Sequence, residues 1–426
     1  VCTVCKGVNV CCGGGAEGLE LPALCRGAVL CCPNCGRQRR TDCGIAKNIE
    51  LIAPAGGIVI VPNGFYRIFD ISAGSTVRVE RVSPRGAATS NGGAFWNDGD
   101  LTLDQVLASS CVASSFSTQN TNDIGYGGVV YNNGTLTADG CTFQFNNGQS
   151  GGGAIWNADG GSMQVTNCTF FFNISENAAA AIGNESTNGL AVVVDSTFSA
   201  NKIEFVGNFP SFPTYSGGGA IANSGTLYIA RSTFTSNTTD QVRPGGAIAN
   251  YGDLAVDAST FAYNSANPTF ARGGAIFSAG TLGVSNATFT VNAARFGSAV
   301  ENESGYLMRM ANCTVARNVQ NESVTYALDL GLAADNLLDN NLVVENERWD
   351  AVSSNFVPAN VIGSFTGSSN VIGIANAQLG SLANNGGPVK TMALAIGSPA
   401  VDAGIALTGL TTDARGTNRV DATDAG

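Results

Sequence analysis

The sequence predicts an all-β fold, a right-handed parallel β-helix (solenoid) of about a dozen coils behind a small cysteine-rich segment. Three observations predict it. First, one sentence recurs: a glycine pair, a short apolar run, an Asn, a turn, a strand, and then Phe followed three residues later by Asn. It reads GGAIANYGDLAVDASTFAYN at 245–264 and returns from Gly152, Gly218 and Gly273, with looser copies from Gly92, Gly127, near Ala180 and from Gly297. The starts at 218, 245 and 273 are 27 and 28 residues apart. Second, runs such as Thr226-Leu227-Tyr228-Ile229 alternate with strand period. Third, Gly, Asn, Asp and Ser interrupt every few residues, and the 426-residue chain holds 55 Gly, which leaves no room for helices of ordinary length. Three short strands joined by tight bends fill such a unit. Too small to bury its own apolar face, it must stack on the next copy.

The paired motifs Gly218-Gly219-Ala220-Ile221 with Phe234 to Asn237, Gly245-Gly246-Ala247-Ile248 with Phe261 to Asn264, and Gly273-Gly274-Ala275-Ile276 with Phe289 to Asn292 resemble the repeat of chlamydial-type polymorphic outer-membrane proteins and related bacterial surface β-helices. The resemblance implies the same fold and a place at the cell surface. It implies no particular activity.

Residues 1–44 form the first part of a three-part organisation. They carry Cys2, Cys5, Cys11, Cys12, Cys25, Cys31, Cys32, Cys35 and Cys43 among Gly, Pro and Arg, with too few large apolar residues for a core. Such a segment needs staples. The C-x-x-C pairs Cys2/Cys5 and Cys32/Cys35 have zinc-ligand spacing, but the adjacent pairs Cys11-Cys12 and Cys31-Cys32 do not suit a zinc ribbon, so disulfides are favoured over metal. Nine is odd, so one cysteine stays free, pairs elsewhere in the chain, or bonds another chain.

Residues 45–375 are the solenoid. Its first coils include Ile58 to Pro62 and Val77 to Val82. Aligned copies stack Phe143, Phe170, Phe198, Phe234, Phe261 and Phe289 into one ladder, and Asn146, Asn173, Asn201, Asn237, Asn264, Asn292 and Asn318 into a ladder of coil-to-coil amides at left-handed turns. Cys141, Cys168 and Cys313 fill an inward slot two residues before the ladder residue, so Cys141 and Cys168 sit on adjacent coils, either bridged or as two buried thiols. Among the Asn-x-Ser/Thr sequons, Asn167, Asn286 and Asn312 precede that inward slot and should face solvent as glycosylation candidates, while Asn173 and Asn237 lie in the ladder.

Residues 376–426 change character and are read as a C-terminal capping region closing the last coil. Asn385 to Pro388, Gly397 to Gly404 and Thr412 to Arg419 resemble the C-terminal signature of choice-of-anchor Q proteins, which are secreted bacterial β-helices.

The chain has no histidine, which excludes Ser-His-Asp and Cys-His catalysis and imidazole metal sites. No cofactor is expected. The net charge of −11 argues against nucleic acid, and no run of 18 apolar residues suggests a membrane span. Starting at Val1, the chain reads as secreted with its signal removed, for the extracellular space or cell surface. An acid-and-base site would use Asp402, Asp413, Asp421 and Asp424 with Arg415 and Arg419, which read better as polar residues of the cap. Trp96 and Trp156, with Phe95 and Tyr131 at equivalent positions, suggest a sugar-stacking strip or ordinary packing. The expected function is a non-enzymatic structural protein of an extracellular fibre, assembled head to tail from copies of itself. The alternatives are a solitary adhesin or carbohydrate-binding β-helix, with surface polysaccharide as partner, and then a polysaccharide lyase or hydrolase.

Overall fold

The computed structural model describes residues 2–5, 8–11, 43–62, 65–114, 125–204, 217–240, 243–266, 271–320, 326–331, 335–374 and 376–419. The chain divides into two units, Val1–Val192 and Val193–Gly426. Both are parallel β-solenoids, with about ten turns in all. Among the described residues there is no helix, and so none long and apolar enough to cross a membrane.

The coil that starts at Gly245 shows how the sequence makes the fold. Its sides are Ile248–Asn250, Asp253–Asp257 and Thr260–Ala262, followed by a fourth, two-residue strand, Ser265–Ala266, beyond the three expected. In Asp253–Asp257, Leu254 and Val256 point inward while Asp253 and Ala255 are exposed, as a period of two requires. The next coil repeats it in register, with Ile248 on Ile276, Leu254 on Leu282, Val256 on Val284 and Phe261 on Phe289.

Three corners of this coil have left-handed backbone: Gly245 (φ 74), Ala258 (φ 46) and Tyr263 (φ 59). Side chains normally avoid this region. Here the N–H of Ala258 donates to Ser285 O (3.0 Å) and that of Tyr263 to Thr290 O (3.2 Å), so each bend is fixed by a bond to the next coil. The left-handed residue therefore precedes the ladder Asn rather than being the Asn itself, as at Phe145, Phe172, Ser236 and Val291. The glycine pair has two separate reasons. The first glycine supplies the positive φ. The second lies so close to the next coil that a Cβ on Gly246 would stand 2.0 Å from Gly274 O.

Both expected ladders are present and buried. Phe143 stacks on Phe170 in the N-terminal unit (4.9 Å). Phe198, Phe234, Phe261 and Phe289 form a continuous stack at 4.7, 4.8 and 4.9 Å in the C-terminal unit. In that unit Nδ2 of Asn201, Asn237, Asn264, Asn292 and Asn318 each donates to Oδ1 of the next Asn at 2.9–3.0 Å, and the run continues to Asn346 and Asn360. The second amide hydrogen of Asn264 reaches Phe234 O (3.0 Å), while its Oδ1 also accepts the N–H of Asn237 (3.0 Å). Such a rung is fully satisfied in a dry core, which is what makes a buried polar ladder stable.

A second amide ladder, at the Asn that ends the apolar run, was not foreseen. Asn97, Asn132, Asn157 and Asn184 bond in sequence at 2.7, 2.6 and 2.8 Å. Asn223, Asn250 and Ser278 do the same in the C-terminal unit (2.8 and 3.1 Å). The Asn of each GGAIxN copy was the signal for it.

Candidate functional site

Assembly, the expected function, would act through the two ends of the repeat. In the C-terminal unit the last coil, Val361–Ile362 and Val371–Ile372, pairs on one side only among the described residues, with Leu328–Asp329 and Leu342–Val344. Beside it a hairpin of Glu347–Asp350 and Asn355–Pro358 leaves the sheet as an antiparallel arm, with Trp349 against Phe356. Ile362 and Phe356 are 42% and 41% exposed, and Val352 at the hairpin tip is bare. In the N-terminal unit the first coil likewise pairs on one side among the described residues, Ile49–Ile52 with Thr76–Glu80 and Ile58–Ile60 with Val82–Pro84. Val59, Val61 and Phe65 there are exposed.

The segment from 376 onward adds no strand to that last coil but packs on its side, where Val371 and Ile374 meet the segment's apolar cluster. It turns back along the flank of the C-terminal unit. Thr260 donates to Lys390 O (2.6 Å), and Arg317 donates to Leu379 O (2.7 Å) and Gly380 O (3.1 Å). Asn340 exchanges two bonds with the Ile405 backbone (2.6 and 2.9 Å). Ala316, Leu342 and Val344 on the flank form one apolar cluster with Ala377, Leu379, Met392 and Ala400.

This covering corrects two of the glycosylation candidates. Asn167 is exposed as expected, but Asn286 and Asn312 are buried, at 5% and 3%. The strand facing was right, since both side chains point away from the interior. The C-terminal segment then lies over them, with Arg419 donating to Asn286 Oδ1 (3.1 Å), while Asn340 of the next coil, itself bonded to the segment at Ile405, donates to Asn312 Oδ1 (3.1 Å). Of the proposed acid cluster, Asp413 is engaged by Arg415 (2.6 Å). Burial pushes the Asp413 carboxyl up, but Arg415 and the N–H groups of Thr417 and Arg415 outweigh it and hold it below its ordinary range. Asp421 and Asp424 lie outside the described residues.

Of the two readings of the tryptophans, ordinary packing is the one the structure supports. Trp96, Tyr131 and Trp156 do occupy one column of the first side, and Phe95 is in the core. Their ring faces are already used. Trp96 stacks on Tyr131 (4.6 Å) with the Arg67 guanidinium 5.2 Å from its centroid. Trp156 is buried against Tyr126 (4.1 Å), and its indole lies on the backbones of Gly151 and Gly183. A pyranose needs an open face, and these rings present edges. Trp156 Nε1 donates to Glu185 (3.2 Å), whose carboxyl burial pushes up.

Cys141 and Cys168 lie on adjacent coils, as the slot argument expects, and the second alternative holds: both are buried thiols, not bridged to each other. The Cys168 sulfur accepts the Cys141 N–H (3.4 Å), and the Cys141 thiol faces the carbonyls of Leu103 and Asp139 (3.4 and 3.3 Å). That mutual contact and burial push the Cys141 thiol far up, and burial raises Cys111 to about 11 and Cys313 to about 12, so these are inert packing groups. The side chains of Cys2, Cys5, Cys11, Cys12, Cys25, Cys31, Cys32, Cys35 and Cys43 lie outside the described residues.

One group of charges escaped sequence reasoning. On the outward column of the first side, Phe277, Glu301 and Asp329 are successive rungs. Arg272 binds Glu301 Oε1 (2.6 Å) and Glu303 (2.8 Å), with its guanidinium 4.9 Å from the Phe277 centroid. Glu301 is buried and its Oε2 has no partner; burial raises its carboxyl to about 7, against the pull of Arg272. Burial also pushes Asp329 up. Among the described residues no three His, Cys, Asp or Glu side chains close on a point that would hold a metal ion. The available signal was an acid in a column that holds Ala222 and Ala249 on other coils.

No protein-family model matches the chain, and no curated protein matches it closely enough to be a relative.

Proposed function

We propose that this chain is a non-enzymatic structural protein of an extracellular fibre, whose copies stack head to tail. The observation that carries the reading is the last coil of the C-terminal unit. Among the described residues its strands Val361–Ile362 and Val371–Ile372 keep an unpaired edge beside the exposed Ile362 and Phe356, because the segment expected to close it packs on the side and pairs its own two strands with each other. An open parallel edge is a template for another chain. A repeat with unlike ends joins copies through a heterologous contact, which propagates instead of closing. The cysteine-rich residues 1–44 supply the lock, by disulfides within or between copies, and the resemblance to secreted surface β-helices supports the extracellular placement.

The test is electron microscopy and sedimentation of the purified protein under oxidising conditions, beside Ile362→Lys and Phe356→Lys variants that place charges at exposed positions of the edge. Fibres from the parent and none from folded variants support the reading. A parent that stays monomeric at high concentration, or fibres indifferent to these charges and to deletion of 1–44, would sink it and leave a solitary adhesin.

One observation favours a second reading, a polysaccharide hydrolase. Glu301, with its carboxyl near 7, suits a general acid, and Asp329 stands on the adjacent strand in register. Reducing ends released from polysaccharide by the parent, but not by Glu301→Gln, would establish it.

A further inference from the structure

The outward column of the third side in the C-terminal unit runs Thr260, Thr288, Thr314, Leu342. The C-terminal segment touches both ends of this column. The Lys390 carbonyl accepts the Thr260 hydroxyl, and Leu342 packs with Met392 and Leu379. Between them the segment and the flank form a cleft of about 330 Å³ that is open to solvent on one side, at the small end of the range that ligand pockets span.

The cavity wall has unused hydrogen-bonding capacity. Thr288, Asn312 and Thr314 line it, at 4%, 3% and 7% exposure. Neither threonine hydroxyl bonds a protein group, and Asn312 uses only its oxygen, leaving Nδ2 unspent. Their polar atoms are not sealed in the protein but open onto the cavity, which therefore offers a polar occupant two hydroxyls and an amide donor with no protein partner to displace. Of the charged groups of the wall, Asp413 and Arg415 pair with each other, and Arg419 is turned onto the Thr412 carbonyl and Asn286 Oδ1. Met392, Leu394 and Val401 add an apolar patch opposite the threonines. Hydroxyls and an amide facing an apolar patch match an uncharged ring with hydroxyls on its rim and C–H groups on its face.

We propose that this cavity binds one neutral monosaccharide unit, either free or at the end of a glycan. The two sequons Asn286-Ala287-Thr288 and Asn312-Cys313-Thr314 then serve as walls of a sugar site instead of sugar attachment points. The site is independent of the fibre reading.

Saturation-transfer NMR of the full chain with glucose, galactose, mannose and N-acetylglucosamine tests it, followed by the Thr288→Val/Thr314→Val double variant, which keeps shape and removes both hydroxyls. Thr233→Val, on the same column beyond the cavity, is the control. At least one sugar should bind saturably, the double variant should bind it about tenfold more weakly or worse, and the control should match the parent. No saturable binding by any of the four, or equal binding by the double variant, overturns the proposal.

Discussion

Asn167 and Asn312 begin the same tripeptide, Asn-Cys-Thr, at the same corner of the coil, with the same φ of 54. Each is followed by a buried cysteine and then by a threonine on the outer flank. Yet Asn167 is exposed, bonded only to Asp139 across the surface (3.1 Å), while Asn312 is 3% exposed beneath the C-terminal segment. Local sequence fixes which way a side chain points. Whether that direction leads to water is decided by chain far away in the sequence. The interior has no such ambiguity, since each coil buries the next through identical residues.

The largest effect should therefore lie inside. Phe234 is fully buried between Phe198 and Phe261. Phe234→Ala should cost about 3–5 kcal/mol in denaturant unfolding through the cavity it leaves. A loss under about 1 kcal/mol would mean that the ladder is not the core of the comparison.

A smaller effect belongs to an outward residue that is nevertheless sealed. The Glu301 carboxyl is raised to about 7 from an ordinary value of 4.5. The folded state thus keeps a proton that the unfolded chain releases between those values, so stability is full below about 4.5 and falls as pH rises to about 7. Asp329, also raised by burial, acts in the same sense. Glu301→Gln, with Glu303 still holding Arg272, should remove most of a slope amounting to at most about 3 kcal/mol. Unfolding curves at pH 4, 6 and 8 that keep their parent spacing in the variant would refute this.

These cases mark what the sequence made legible. The Phe and Asn ladders, the inward cysteine slot and the parallel stacking were all readable, because a repeat states its neighbours in its own period. The missed Asn97 and Asn223 ladders were stated in the same period and went unread. Three things were not stated at all. The fold-back of 376–419 depends on single contacts such as Arg317 to Leu379 and Asn340 to Ile405, which no period announces. The closed faces of Trp96 and Trp156 depend on Arg67, Tyr126 and Gly151, each outside the motif, and on Gly183, the rung without a side chain in register with Trp156. The Glu301 environment depends on Arg272, from the preceding coil.

The smallest effect is also the most discriminating, because it places one change in two identical tripeptides. Lys in place of Asn gives up the tolerance for left-handed backbone equally at 167 and 312, so that term cancels between Asn167→Lys and Asn312→Lys. What remains is the cover. At 167 the new ammonium stands in water. At 312 it must displace the bond from Asn340 and either stay buried or lift the segment, an added cost of about 1–3 kcal/mol. Lifting is the cheaper course, so limited proteolysis should cut within 376–419 in Asn312→Lys and leave Asn167→Lys as resistant as the parent. The same cover bears on modification: protein secreted by a glycosylating host should carry sugar at Asn167 and none at Asn286 or Asn312, where a glycan and the seated segment exclude each other. Equal protease resistance in the two variants, with sugar at Asn312, would mean that the flank is open and that the two tripeptides share one environment after all.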